Sequence, residues 1–219
     1  MRIPKDDLTY TVFSEIYLRM DDPKAKRKAF LILESALKLY AKKGWDQVSM
    51  QMIARDTDLS RTALLHYFKD PTELRIFAIK YVRLLFQRFA IDAMSNAKTP
   101  DKMLEAYVRS CFKWVDFSRV HAQVWLSFVC SCVNTKQNRA LNTTAVEAGN
   151  DRIAALLTAG KSAGFFTCAN PQLAATAIQA LIAGGMLCYG TEDHKDEGKG
   201  LIESLVAQAF FAAGAKPRA

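Results

Sequence analysis

Three helix starts crowd into the stretch between Gly44 and Glu73, and their spacing leaves room for little except two short helices and a tight turn. Ser49 is placed to cap a helix running to about Thr57, because its hydroxyl can accept from the unsatisfied N–H groups of the first turn. The tetrapeptide Asp56-Thr57-Asp58-Leu59 turns the chain into Ser60, which caps a second short helix through Phe68. Asp70-Pro71-Thr72-Glu73 then opens a third, with Asp at the cap, Pro at the first helical position and Glu two residues on. Short helices are unstable alone, so flanking segments must hold them. Those segments are a helix over 23–43, with Phe30, Leu33, Leu37 and Tyr40 on one face and Gly44 as its stop, and a long amphipathic helix over 71–93. Ile53, Ala54, Leu59, Leu64 and Phe68 are expected to pack inward, so that Arg61, Thr62, Ala63, Leu65, His66 and Tyr67 include the outward face. A helix-turn-helix of this kind lays its second helix in the major groove of DNA.

The rest of the chain reads the same way. Only 10 Gly and 6 Pro interrupt 219 residues, and breaks at 96–101, Gly164, Asn170-Pro171 and 191–200 separate expected helices at 100–117, 121–134, 136–163, 171–190 and 197–213. Val12, Phe13, Ile16, Tyr17 and Met20 share one helical face, which predicts a short amphipathic helix before Pro23. The expectation is an all-α protein with three parts: an N-terminal extension at 1–23, a three-helix helix-turn-helix DNA-binding domain at 24–75, and a helical body at 76–219, for which effector binding and dimerisation are what the family resemblance given below implies.

Charge locates the partner. Between Lys24 and Arg88 there are 14 Lys/Arg and 6 Asp/Glu, so this segment carries the whole formal charge of +8 and the remainder is neutral. A basic module beside a neutral body suits a phosphate-binding unit attached to an effector domain. Five cysteines show no disulfide framework, the first 23 residues hold charges and no long apolar run, and the most apolar stretch, 173–189, is rich in Ala and Gly. These features predict a cytoplasmic protein with no membrane partner, its apolar stretch packed between helices.

Ile32-Leu33-Glu34-Ser35-Ala36, Tyr40-Ala41-Lys42-Lys43-Gly44, Ile53-Ala54, Leu64-Leu65-His66-Tyr67-Phe68 and Glu73-Leu74 together resemble the TetR/AcrR family of bacterial one-component regulators. The resemblance implies a repressor that binds a palindromic double-stranded DNA operator as a homodimer and is released by a small-molecule effector. It gives Arg61 and Thr62 as candidates for base-edge contact, and Ser49, Ser60, His66, Tyr67 and Lys69 as candidates for phosphate contact. Arg can fork onto guanine, and hydroxyls at helix N-termini suit phosphate oxygens. The chain departs from the family pattern at Thr57-Asp58 (usually a small turn with glycine), Thr62 (often glycine), Leu65 (often tyrosine) and Pro71 (often lysine). The DNA footprint is therefore expected to be related to the family's without copying it.

In the body, Phe86, Phe89, Tyr107, Cys111, Trp114, Phe117, Trp125, Phe128 and Cys132 form an aromatic and sulfur-rich set. The resemblance implies an effector pocket among Phe86, Phe89, Tyr107, Cys111, Trp114, Trp125, Phe128 and Cys132. Val124-Trp125-Leu126-Ser127-Phe128 and Asn138-Arg139-Ala140-Leu141 are similar to the branch containing the choline-responsive regulator of betaine synthesis. Trp114 and Trp125, with a nearby Tyr or Phe, are thereby suggested as a cage for a quaternary ammonium. Ala174, Ala177, Ile178, Leu181, Gly184 and Gly185 make a small-residue face, and Leu201, Leu205 and Ala209 belong to a larger apolar one. Both are candidates for a two-fold four-helix interface, although a monomer can bury either internally.

Two other classes remain open at this point: a helical adaptor whose basic end meets an acidic partner, and an all-α enzyme. Cys130-x-Cys132 has no metal-ligand company, His66, His121 and His194 are scattered, and no Gly-rich phosphate loop or nucleophile elbow occurs. No catalytic residue, metal ligand or cofactor is expected.

Overall fold

A computed structural model describes residues 8–191 and 198–215, the side chains of 198 and 199 excepted. These residues form ten helices: α1 (Leu8–Ile16), α2 (Pro23–Lys43), α3 (Met50–Asp56), α4 (Arg61–Tyr67), α5 (Pro71–Ser95), α6 (Pro100–Phe117), α7 (Arg119–Ser131), α8 (Lys136–Ser162), α9 (Pro171–Thr191) and α10 (Gly198–Ala212). No strand occurs among the described residues. Packing divides the chain into two units. One runs through Gln87 and takes in Val120–Asn134; the other comprises Arg88–Arg119 and the chain from Thr135 onward.

The first unit is organised on α2. Asp22 caps it by accepting from Ala25 N–H at 2.7 Å, Pro23 takes the first position, and Gly44 ends it with φ of 97°, a conformation L side chains rarely adopt. Ala29, Phe30, Ile32, Leu33, Ala36, Leu37 and Tyr40 make its buried face. The expected N-terminal helix is present as α1 and packs on α2, with Val12 and Phe13 fully buried. Phe13 meets Phe30 at 5.2 Å and Phe77 at 5.8 Å between ring centroids. Each such ring, once buried, contributes roughly 1.5–3 kcal/mol relative to exposure, so α1 adds substantially to the core of this unit.

Residues 120–134 also pack into this unit, although they lie in the segment the sequence assigned to the effector body. Trp45, just past α2, is buried, donates its backbone N–H to Ser127 Oγ at 2.9 Å and meets Phe128 edge-on at 5.3 Å. His121 is buried edge-on to Tyr81, with Nε2 3.7 Å from Glu34 Oε1.

In the second unit α6 turns Leu104, Tyr107, Val108, Cys111, Phe112, Trp114 and Val115 inward, and it packs against α8, α9 and α10. Arg109 of α6 grips Glu203 of α10 through two hydrogen bonds of 2.7 Å, and Tyr189 of α9 donates to the Asp116 carboxylate. Gly160 of α8 lies so close to Phe166 that a Cβ there would stand 2.3 Å from its ring. By length and composition α9 could cross a membrane, with a mean hydropathy of 1.5. Here it packs against α6, α8 and α10, burying Ala174, Ala175, Ile178, Ile182, Gly185 and Met186.

Candidate nucleic-acid interface

The helix-turn-helix is built by its caps. Ser49 Oγ accepts from Met52 N–H at 3.3 Å and Ser60 Oγ accepts from Ala63 N–H at 3.0 Å. A hydroxyl that accepts from the backbone still has its own proton to donate, so capping and a phosphate contact are compatible. Between the helices, Leu59 N–H returns to Ala54 O at 2.9 Å and Thr57 Oγ1 donates to Ile53 O at 2.8 Å. Asp58 stands at φ of 52°, the left-handed conformation the turn requires. Ile53, Ala54, Leu64 and Phe68 are buried as expected, while Leu59 is half-buried.

The expected DNA-contacting residues lie on one short stretch with solvent access. Ser49, Ser60, Arg61, Thr62, His66 and Lys69 are exposed and Tyr67 is half-buried, its ring edge-on to His66 at 5.4 Å. Arg61 and Thr62 occupy the first turn of α4, the end that enters the groove in a helix-turn-helix. Of the two nearby acids, Asp56 is turned toward α2, where it accepts from Ser35 Oγ at 2.6 Å.

Two residues that sequence reasoning did not select touch this segment. Tyr17 Oη donates to Tyr67 O at 2.8 Å and Arg19 Nε donates to His66 O at 3.2 Å. Burial pushes the Tyr17 phenol up to about 12, with Arg19 working against the rise, so it remains a donor at ordinary pH. The helical face of Val12, Phe13, Ile16 and Tyr17 carries the signal that this segment packs, but nothing in the spacing says onto what. Beside it, a groove of about 420 Å³ is lined by Ile16, Phe77, Lys80, Arg83, Leu84 and Gln87, none of them among the expected site residues.

The expected effector residues fall into both units. Tyr107, Cys111 and Trp114 share the inner face of α6, where Tyr107 Oη donates to Gln179 Oε1 at 2.9 Å and Cys111 Sγ donates to Tyr107 O at 3.3 Å. Phe89, in the same unit, meets the exposed Phe117 at 5.0 Å. In the first unit Phe86 and Trp125 are half-buried, Phe128 packs on Trp45, and buried Cys132 donates to Phe128 O.

The expected pairing residues divide by face. Ala174, Ile178, Gly185 and Ala209 are buried within the subunit, Leu181, Leu201 and Leu205 are half-buried, and Ala177 is exposed. Gly185 admits α10 so closely that a Cβ would lie 2.4 Å from Leu205 Cδ1. The small residues on that side therefore serve internal packing, while Leu173, Ala177, Ala180, Gly184 and Leu187 form the exposed apolar face of α9. α9 is small and apolar on both sides, so periodicity alone does not distinguish inside from outside.

Residues 32–75 match the family described as bacterial regulatory proteins, tetR family, and residues 100–209 match the BetI-type transcriptional repressor, C-terminal. The HTH-type transcriptional regulator BetI of Rhizobium meliloti is 28% identical over 116 residues, covering 53% of this chain and 56% of the relative. The chain thus spans about half the length of the curated relatives it matches. A Saccharomonospora viridis structure solved in complex with choline is similar at a TM-score of 0.74 and 20% identity, covering 90% of this chain and all of that one. AibR in complex with isovaleryl coenzyme A and operator DNA is similar at 0.68 and 18%, covering 83% and 97% respectively. At these identities the structures show the shared fold.

Proposed function

The chain belongs to the tetR family of bacterial regulatory proteins, with a BetI-type repressor domain at its C-terminal side, and on that premise we propose that it represses transcription as a homodimer on a palindromic operator and leaves that operator when a small molecule binds. The observation that carries the DNA-binding half is the exposed run Ser60, Arg61, Thr62, His66 and Lys69 on a capped helix whose opposite side is buried. Arg61 and Thr62 read bases from the first turn; Ser49, Ser60, His66, Tyr67 and Lys69 hold phosphates around them. The outward face of α9, with Leu173 and Leu187 exposed at 68% and 47%, supplies the pairing surface of this reading, and a dimeric helix-turn-helix protein reads half-sites about one DNA turn apart. This reading involves no catalytic step and places the protein in the cytoplasm with its DNA.

Selection from random duplexes tests this half. The expected product is a palindrome with half-sites roughly ten base pairs apart, centre to centre. No enrichment over the input pool would refute it.

The effector reading is a quaternary ammonium of the choline type. It is supported by the BetI-type match and by a neighbour of the same fold solved with choline. Tyr107 and Trp114 put two buried aromatic rings on the inner face of α6, and aromatic faces attract such cations. Calorimetry with choline should show saturable heat and release of the selected duplex. Absence of heat with choline alongside binding of an uncharged lipophile would replace this ligand class with the other.

A further inference from the structure

α4 has only seven residues, and a helix that short leaves most of its backbone carbonyls without an intrahelical partner. Phe68 N–H takes Leu64 O at 3.0 Å. The carbonyls of His66 and Tyr67 are taken from outside, by Arg19 Nε and Tyr17 Oη. Both donors precede residues 32–75, the segment that matches the tetR family.

Tyr17 is held firmly, and the exposed Arg19 has a second partner. The Tyr17 ring is 3% exposed, stacked on Phe13 at 5.0 Å and set against Phe68 and Phe77 at 5.6 and 5.7 Å, so its hydroxyl has a fixed aim. Arg19 also faces the Glu73 carboxylate at 3.4 Å, and Glu73 accepts from the backbone N–H of Lys69. One guanidinium thereby ties the end of α4 to the beginning of α5, and its charge lies where a helix C-terminus favours a cation.

We infer that α1 and the segment carrying Tyr17 and Arg19 form a brace for the DNA-reading helix, with Tyr17 and Arg19 as positioning residues that set the angle of α4 by holding its last two carbonyls. The inference rests on the reading of α4 as the helix that enters the groove. Its contacts go to backbone atoms, so it acts whatever side chains occupy positions 66 and 67.

The test uses the full chain carrying Tyr17→Phe or Arg19→Gln, a duplex selected by the wild-type protein, a scrambled duplex, and Arg61→Ala as reference. Tyr17→Phe keeps the buried ring and removes only the donor. The expected result is a three- to tenfold loss of affinity for the selected duplex, the size one hydrogen bond supports. Affinity for scrambled duplex and the salt slope stay unchanged, and amides at the end of α4 exchange severalfold faster. Unchanged affinity and exchange would overturn the brace, as would a lower melting temperature with an unaltered ratio of selected to scrambled binding. A salt slope reduced by about one unit in Arg19→Gln would make Arg19 a phosphate contact and overturn its positioning role. If Arg61→Ala binds the selected duplex like wild type, the reading of α4 itself fails, whatever the Tyr17 result.

Discussion

Ser35 of α2 donates a 2.6 Å hydrogen bond to Asp56 at the end of α3, turning a carboxylate beside the DNA-reading turn back toward the protein. Ser35 is 6% exposed, so this is a bond to a charged acceptor at the edge of the core. Such bonds contribute about 1.5–3 kcal/mol. Ser35→Ala should lower stability by about 1–2 kcal/mol in urea unfolding, the lower figure reflecting the solvent access of Asp56. It should also weaken DNA binding most at low salt, because the freed carboxylate can face phosphates. Equal losses at all salt concentrations would argue against the electrostatic part.

Asp58 occupies the left-handed region at φ of 52°. Aspartate tolerates that region better than residues without a short polar side chain. Asp58→Ala should therefore cost about 1 kcal/mol, whereas Asp58→Gly should be close to neutral, since strain relief offsets the greater entropy of an unfolded glycine. Chemical denaturation of the two variants in parallel checks this; an Ala variant as stable as Gly would contradict it.

Gly160 is required for space. A methyl group there would stand 2.3 Å from Phe166, which is 1% exposed, and 3.0 Å from Pro100. Gly160→Ala gains helix propensity worth about 1 kcal/mol, but overpacking of this severity costs about 1–3 kcal/mol. The melting temperature should fall. A rise would show that Phe166 can move aside freely.

The proposed dimer has a clean probe. Among the described residues, and apart from its chain neighbours and the backbone of its own helix, nothing lies within 4 Å of a Cβ at Gly184, on the outward face of α9. Gly184→Arg should leave the circular dichroism spectrum intact, halve the mass measured by sedimentation and reduce operator affinity severely. A variant that remains two-fold would move the interface elsewhere, and a wild-type chain that sediments as a single copy would refute the dimer.

Buried acids predict loss of stability in alkali. Burial pushes the Cys111 thiol and the Tyr17 phenol each up to about 12, and it raises Tyr107 as well. The folded state thus prefers the protonated forms, while the unfolded chain ionises at ordinary values of roughly 8.5 for thiols and 10 for phenols. Their contribution is complete below those values and is lost as pH rises through the folded ones. Melting temperatures should hold from pH 7 to about 8 and fall progressively above that. Cys111→Ala should flatten the first part of the decline; a curve level to pH 11 would contradict this account.

Much of this architecture was legible because local and global signals agree. Asp22-Pro23 and Gly44 bracket α2, Ser49 and Ser60 cap α3 and α4, and Asp70-Pro71 opens α5, each by a mechanism confined to a few residues. What was not legible depends on long-range choice. Trp45 and Phe128 are far apart in sequence, and no local signal in residues 120–134 announces that they pack with the first unit. On α9, either face could have been buried, and the approach of Leu205 to Gly185 settles which one is. Tyr17 and Arg19 were equally hidden, because their partners are backbone carbonyls that no side-chain pattern announces.

The central claim is that α4 reads DNA through its first turn, and the affinity of wild type, Arg61→Ala and Lys69→Ala for selected and scrambled duplexes across a salt series tests it most directly. Wild type should show a steep fall of log affinity with log salt and strong preference for the selected duplex. Lys69→Ala should lower affinity for both duplexes and reduce the slope by about one unit. Arg61→Ala should lose about 1–3 kcal/mol on the selected duplex and relax the preference at one base position. Variants that bind both duplexes as wild type does, with the same slope, would contradict the account.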